Sequence, residues 1–241
     1  MSLSELPKSS GYFNSYDGAR LYFETHGQGP PVILCYGLAC STNHWIHQIQ
    51  PFAKNYQVIL WDYRGHHFSN NSTEATHLSI SGFADDLLYL MDHLGLTKAS
   101  LWGHSFGAPI ILDFASRFQD RTANLVLING FAQNPFQDVM GFPLASQLAR
   151  LADSAFDELP SSFKFLWESL VNNPLALRLS ALAGGFNLSL AHLKDLEVYA
   201  KGVASVSPAV FLKLFRSMTG IVSTDYLERV SCPTLIISGE K

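Results

Sequence analysis

"LWGHSFGAP", residues 101–109, sets one serine between two glycines directly after an apolar run. The run "ASLWG" (99–103) reads as a strand, and "FGAPIILDFASRF" (106–118) reads as a helix. Gly103-His104-Ser105-Phe106-Gly107 therefore occupies a strand–turn–helix junction. Such a junction forces its serine into a strained turn. The helix that follows aims backbone N–H groups and its positive dipole end at the reaction centre. Side chains at Gly103 and Gly107 would collide with the neighbouring strand and helix, and His104 lies within the same elbow. A serine that only caps the helix is the plainer reading. The setting between strand and helix favours a nucleophile.

The flanking sequence supplies the rest of a sheet. "VILCYG" (32–37) and "YQVILWD" (56–62) are continuous apolar runs without polar alternation, as parallel strands covered on both faces require. "SISGFADDLLYLMDHLG" (79–95) places Phe83, Leu87, Leu90, Met91 and Leu94 at helical spacing, with Gly95 as a stop. "ANLVLING" (123–130) and "PTLIISG" (233–239) are two more strands, and Gly11–Tyr16 with Arg20–Thr25 reads as a hairpin around Asp17-Gly18. Strands alternating with helices predict an α/β fold with a doubly wound, mostly parallel sheet. Residues 135–228 break the alternation, with helical segments such as "SSFKFLWESLV" and "SPAVFLKLFRSM" and no convincing strand. We read 1–134 as the first part of the core, 135–228 as an inserted helical cap and 229–241 as a continuation of the core. The alternative for the middle interval is a set of ordinary packing helices.

Composition narrows the function classes. A chain of 241 residues, 47% hydrophobic and 15% charged, can bury one sizeable core. The net charge is −4 and no Lys/Arg cluster appears, so nucleic acid is not an expected partner. No apolar run approaches the roughly 20 residues of a membrane span. "MSLSELPKSSGYF" lacks a basic stretch followed by an apolar one, so the expected compartment is the cytoplasm. Cys35, Cys40 and Cys232 are too few and too irregular for a disulfide framework or zinc knuckle. His44 and His47 are one helical turn apart, but no acid lies near them in sequence, so no metal is expected.

Strand, elbow and element order resemble the α/β-hydrolase superfamily, from about residue 11 to the last residue. Three further stretches carry the likeness. "CYGLACSTNHW" stands where that family has His-Gly-x, "WDYRGHHFS" is similar to its Asp-x-Arg-Gly-x-Gly-x-Ser turn, and "CPTLIISGEK" resembles the strand leading to its acid. The resemblance implies an esterase-like acyl hydrolase with Ser105 as nucleophile and the N–H groups of Leu38 and Phe106 as oxyanion donors. It implies no cofactor. The cap's Phe, Leu and Trp167 point to a small apolar or aromatic ester as substrate. Two departures stand out: Tyr36 replaces a histidine, and His67 replaces a glycine.

The remaining histidines and acids do not complete a triad. His104 adjoins Ser105, and adjacent side chains diverge at such a turn. His66-His67 reads as a solvated loop, Asp85-Asp86 and Asp92 as a solvated helix face, and Asp62 as a residue holding Arg64 and its turn. The family order is nucleophile, acid, histidine. After Ser105 the sequence offers His192, within the cap, while Asn129 stands where a variant acid would. Beyond Gly239 come Glu240 and Lys241. The expectation is therefore the front portion of a longer hydrolase, the rival being a binding module that has lost its chemistry.

Overall fold

The computed structural model describes residues 8–70, 77–135, 200–221 and 224–239, with positions 162, 167, 169 and 173. Strand β1 (Lys8–Asn14) pairs antiparallel with β2 (Arg20–His26), Tyr12 opposite Tyr22. The chain reverses through Ser15–Ala19, where the Ser15 N–H donates to the Ala19 carbonyl at 2.9 Å and Gly18 takes φ +81°. Only a residue without a Cβ adopts that angle cheaply.

β3 (Pro31–Cys35) and β4 (Gln57–Trp61) are the two uninterrupted apolar runs, buried along almost their whole length. They pair parallel with each other, and β3 pairs parallel with β5 (Ala99–His104) on its other side. Between β3 and β4 the chain forms α1 (Ile46–Phe52), which the sequence reading did not contain. Its only buried side chain is Ile49 and Pro51 lies inside it, so the apolar periodicity that reveals helices is missing.

α2 (Ile80–His93) starts at Ser79, whose hydroxyl accepts the Gly82 N–H, and buries Phe83, Leu87, Leu90 and Met91. α3 (Gly107–Arg117) packs beside it and leads to β6 (Thr122–Ile128). Further on come α4 (Pro208–Thr219), capped by Ser207 with Pro208 in its first turn, then α5 (Thr224–Leu227) and β7 (Thr234–Ile237).

The seven strands lie in the order β1-β2-β4-β3-β5-β6-β7, antiparallel at β1, β2 and β4 and parallel from there on. This is the doubly wound, mostly parallel sheet that the alternation predicts. The connection leaving β3 runs to one side and the connection leaving β5 to the other. The C-terminal ends of these two central strands thus flank a switch point, where open α/β sheets form their ligand crevice. β7 is the outermost strand of the described sheet, and Leu235, Ile236 and Ile237 are exposed on it.

Most of the expected cap, together with His192, Glu240 and Lys241, lies outside the described residues. Of its described part, Trp167 packs on Phe211 of α4 with ring centroids 4.7 Å apart. Residues 200–205 are helical and lie over the loop that follows β3.

Candidate active site

Two loops meet at the switch point, one after β3 and one after β5. The first, Gly37–Cys40, is a β-turn closed by the Cys40 N–H donating to the Gly37 carbonyl at 3.1 Å, with Ala39 at φ +57° in its third position. The second holds Ser105 at φ +50°, a left-handed conformation that costs a side-chain-bearing residue about 1–2 kcal/mol. The packing around it leaves no room for relaxation. A Cβ on Gly103 would lie 2.6 Å from the Gly107 carbonyl oxygen, and one on Gly107 would lie 2.2 Å from the Cys35 carbonyl oxygen. A Cβ on Gly37 would lie 3.4 Å from the Ser105 Cβ, so the serine rests directly against the turn after β3.

The backbone donors of this junction are unequally used. The Ser105 N–H donates to the Ile128 carbonyl at 3.0 Å. Among the described residues the N–H groups of Leu38 and Phe106 find no backbone acceptor. Leu38 is half-buried in the turn, and Phe106 is buried at the head of α3.

The His104 ring packs against the His44 ring, centroids 4.4 Å apart and planes tilted by 33°. Burial, and then the proximity of His104, pushes the His44 imidazole down to about 4, and burial pushes His104 down as well. Both rings are therefore neutral at neutral pH, and among the described residues neither bonds to the Ser105 hydroxyl. Burial raises the Cys40 thiol to about 12, so it stays protonated beside the turn.

The post-β4 loop braces this floor and corrects three readings made from sequence. Asp86 is not on a solvated face: it is fully buried, accepting from Arg64 Nε at 2.8 Å, from Arg64 Nη2 and from the Ser15 hydroxyl. Arg64 is held by Asp86 and by Asp17 (2.7 Å) rather than by Asp62. Burial would raise the Asp17 pKa, but hydrogen bonds from Arg64, Ala19 and His77 outweigh it and hold this carboxylate below the usual range. His66 is buried as well, its Nδ1 on the Arg64 carbonyl at 3.1 Å, and burial pushes it down to about 3.

Asp62 instead secures the turn through the Phe68 N–H at 3.3 Å and takes the Tyr36 hydroxyl at 3.3 Å. Burial raises its carboxyl to about 6, and the proximity of His67 and the hydrogen bonds from Phe68 and Tyr36 only partly oppose it. Tyr36, which departs from the family's histidine, is fully buried, and its hydroxyl also accepts the Tyr63 N–H at 3.0 Å. Asn129, at φ +43°, ends β6 and accepts the Gly239 N–H at 2.9 Å, fixing the exit of β7. Sequence reasoning missed the His44–His104 contact and the buried acids, since no local pattern announces either.

Residues 30–241 match the family described as alpha/beta hydrolase fold. The chain belongs to this family. Among curated relatives, a protein named as a proposed carbamate hydrolase, RutD, of Azorhizobium caulinodans is 32% identical over 115 residues. That alignment takes in 48% of this chain and 43% of the relative, so the chain spans less than half the length of the curated relatives it matches. A thermophilic esterase from Thermogutta terrifontis superposes with a TM-score of 0.72 at 26% identity, over 96% of this chain and 80% of that one. A bromoperoxidase from Bacillus anthracis gives a TM-score of 0.75 at 22% identity, over 96% and 82%. At that identity the bromoperoxidase speaks for the fold alone.

Proposed function

We propose that the chain is an esterase-like acyl hydrolase in which Ser105 attacks the carbonyl carbon of a small substrate. The Ser105 Oγ forms the new bond, the carbonyl electrons move onto oxygen, and the N–H groups of Leu38 and Phe106 receive that charge. Collapse expels the alkoxide, which takes up the proton given up by the serine, and water then releases the acid. The observation that carries this reading is a serine held at φ +50° against a turn, with two backbone donors beside it that find no backbone acceptor among the described residues. Donors fixed in place before charge develops need no reorganisation during reaction.

The names of the relatives, esterase and carbamate hydrolase, support a carbonyl substrate with an oxygen or nitrogen leaving group. Trp167 on Phe211 supports an apolar or aromatic acyl group. No cofactor enters the scheme. Among the described residues no helix is long and apolar enough to cross a membrane, and the proposal sets the reaction in the cytoplasm.

A non-catalytic binding module is the second reading, favoured by the packing of His104 against His44 and by the lack, among the described residues, of a hydrogen bond from either ring to the Ser105 hydroxyl. Hydrolysis of short p-nitrophenyl esters separates the two. The acyl-transfer reading expects Ser105→Ala to lower kcat/KM at least about a hundredfold. Equal turnover by both proteins would remove Ser105 as the nucleophile, and no turnover by either would leave the binding module.

A further inference from the structure

We propose that His67 is a positioning residue: its imidazole clasps the turn after β3 and ties it to helical residues 200–205. Three observations meet there. His67 Nε2 lies 2.7 Å from the Cys40 carbonyl oxygen, the last residue of the Gly37–Cys40 turn. His67 Nδ1 lies 2.8 Å from the Ser205 hydroxyl. Independently of His67, Gly202 presses on the same turn, since a Cβ there would stand 3.3 Å from the Ala39 carbonyl oxygen and 3.8 Å from the His67 ring.

The bonding fixes the role of one ring nitrogen. A carbonyl oxygen can only accept, so the Nε2–H donates to Cys40, while Nδ1 meets a Ser205 hydroxyl whose proton is shared with another acceptor. The Ser205 hydroxyl also reaches the Gly202 carbonyl at 2.7 Å, within its own helix. His67 therefore has one firm attachment, to the turn, and one shared and solvent-exposed attachment, to the helix.

The backbone at His67 points the same way. The residue sits at φ +42°, where glycine is unstrained and a side chain is costly. The resembled motif has glycine at this position. A strained histidine whose two nitrogens both reach partners on other elements places its ring at the expense of local conformation.

What the clasp controls is the Leu38 N–H. The turn is short, and its hydrogen bond from Cys40 to Gly37 fixes the peptide planes between them. Holding the Cys40 carbonyl holds the direction of the Leu38 donor. Through Ser205 and Gly202, the helix at 200–205 acts on the turn from outside, so a substrate that moves this helix also moves the donor. This deepens the acyl-transfer reading and rests on it for the meaning of the Leu38 donor. The mechanical coupling itself does not depend on turnover.

The test uses the full chain with His67→Gly, His67→Gln and Ser205→Ala. Glycine suits the backbone angle, so His67→Gly is expected to fold with an unchanged or raised Tm. Hydrogen exchange at the Cys40 amide and alkylation of the Cys40 thiol should both rise roughly tenfold in His67→Gly, with Cys35 alkylation unchanged. His67→Gln keeps one donor and one acceptor at similar reach and should restore most of the protection. Ser205→Ala, which removes only the exposed attachment, should raise Cys40 exchange about threefold.

Should the ester assay give turnover, kcat in His67→Gly falls about tenfold with KM within twofold, since a donor is misdirected while the pocket stays in place. The proposal is overturned by unchanged Cys40 exchange in His67→Gly, or by Cys35 and Cys40 loosening together. Failure of Gln to rescue, or an unaffected turn in Ser205→Ala, overturns it too. Exchange and alkylation need no turnover, so loss of the acyl-transfer reading leaves a different signature.

Discussion

Replacing Asp86 with alanine should cost more stability than any exposed acid on α2. The carboxylate and the Arg64 side chain are both fully buried, and the acid accepts two guanidinium hydrogen bonds and one from the Ser15 hydroxyl. The cluster links three elements: the hairpin turn (Ser15, Asp17), the loop after β4 (Arg64) and α2 (Asp86). Breaking one partner of a buried pair strands the other charge, at a cost of about 3–5 kcal/mol. Asp17 stays on Arg64 at 2.7 Å and shares the load, which favours the lower end. For a chain of this length about 3 kcal/mol lowers Tm by about 6–12 °C.

Urea titration followed by circular dichroism measures the change, with Asp92→Ala as the exposed control, expected within about 0.5 kcal/mol. The double variant Arg64→Met/Asp86→Leu removes both charges and should be more stable than Asp86→Ala, with a coupling energy above about 1.5 kcal/mol. A loss below about 1 kcal/mol in Asp86→Ala, or strictly additive singles, would refute the claim that pairing offsets the burial of Arg64.

Ser105→Gly relieves the φ +50° strain and should raise stability by about 1 kcal/mol while abolishing fluorophosphonate labelling. An unchanged Tm would show that the turn is not strained. Gly107→Ala puts a Cβ 2.2 Å from the Cys35 carbonyl oxygen and should cost about 3 kcal/mol or more. Gly18→Ala, with nothing within 4 Å, should cost only about 1 kcal/mol for its positive φ, and thermal melts that rank the two the other way would contradict the packing.

Burial raises Asp62 to about 6 from an ordinary value near 3.8, so between these values the folded chain binds the extra proton. Stability then falls as pH rises from about 4 to 6, by up to about 3 kcal/mol, and Asp62→Asn should remove that fall. Equal pH slopes for the two proteins in denaturant titrations would reject the assignment.

Sequence alone determined the frame of this protein and singled out Ser105 at its strand–turn–helix junction. β3 and β4 are unbroken apolar runs, α2 repeats its apolar residues at helical spacing, and Gly103 and Gly107 bracket Ser105. All these signals are local, because strand, helix and tight turn are set by neighbours a few positions apart. α1 escaped notice because a single buried isoleucine makes no period.

The tertiary structure alone decided which polar groups are inside and whom they meet. Asp86 sits among solvated acids in sequence, yet it is buried because Arg64 arrives from another loop with a charge that needs a partner. His66 and His67 are adjacent and read alike. One is sealed in the core, and the other bridges Cys40 to Ser205 across two elements. The meeting of Gly37 with Ser105 follows from β3 and β5 being neighbours in the sheet, although β4 and α2 separate them along the chain. A burial pattern can be written in one segment, but a hydrogen-bond partner is chosen by whichever segments the sheet order brings together.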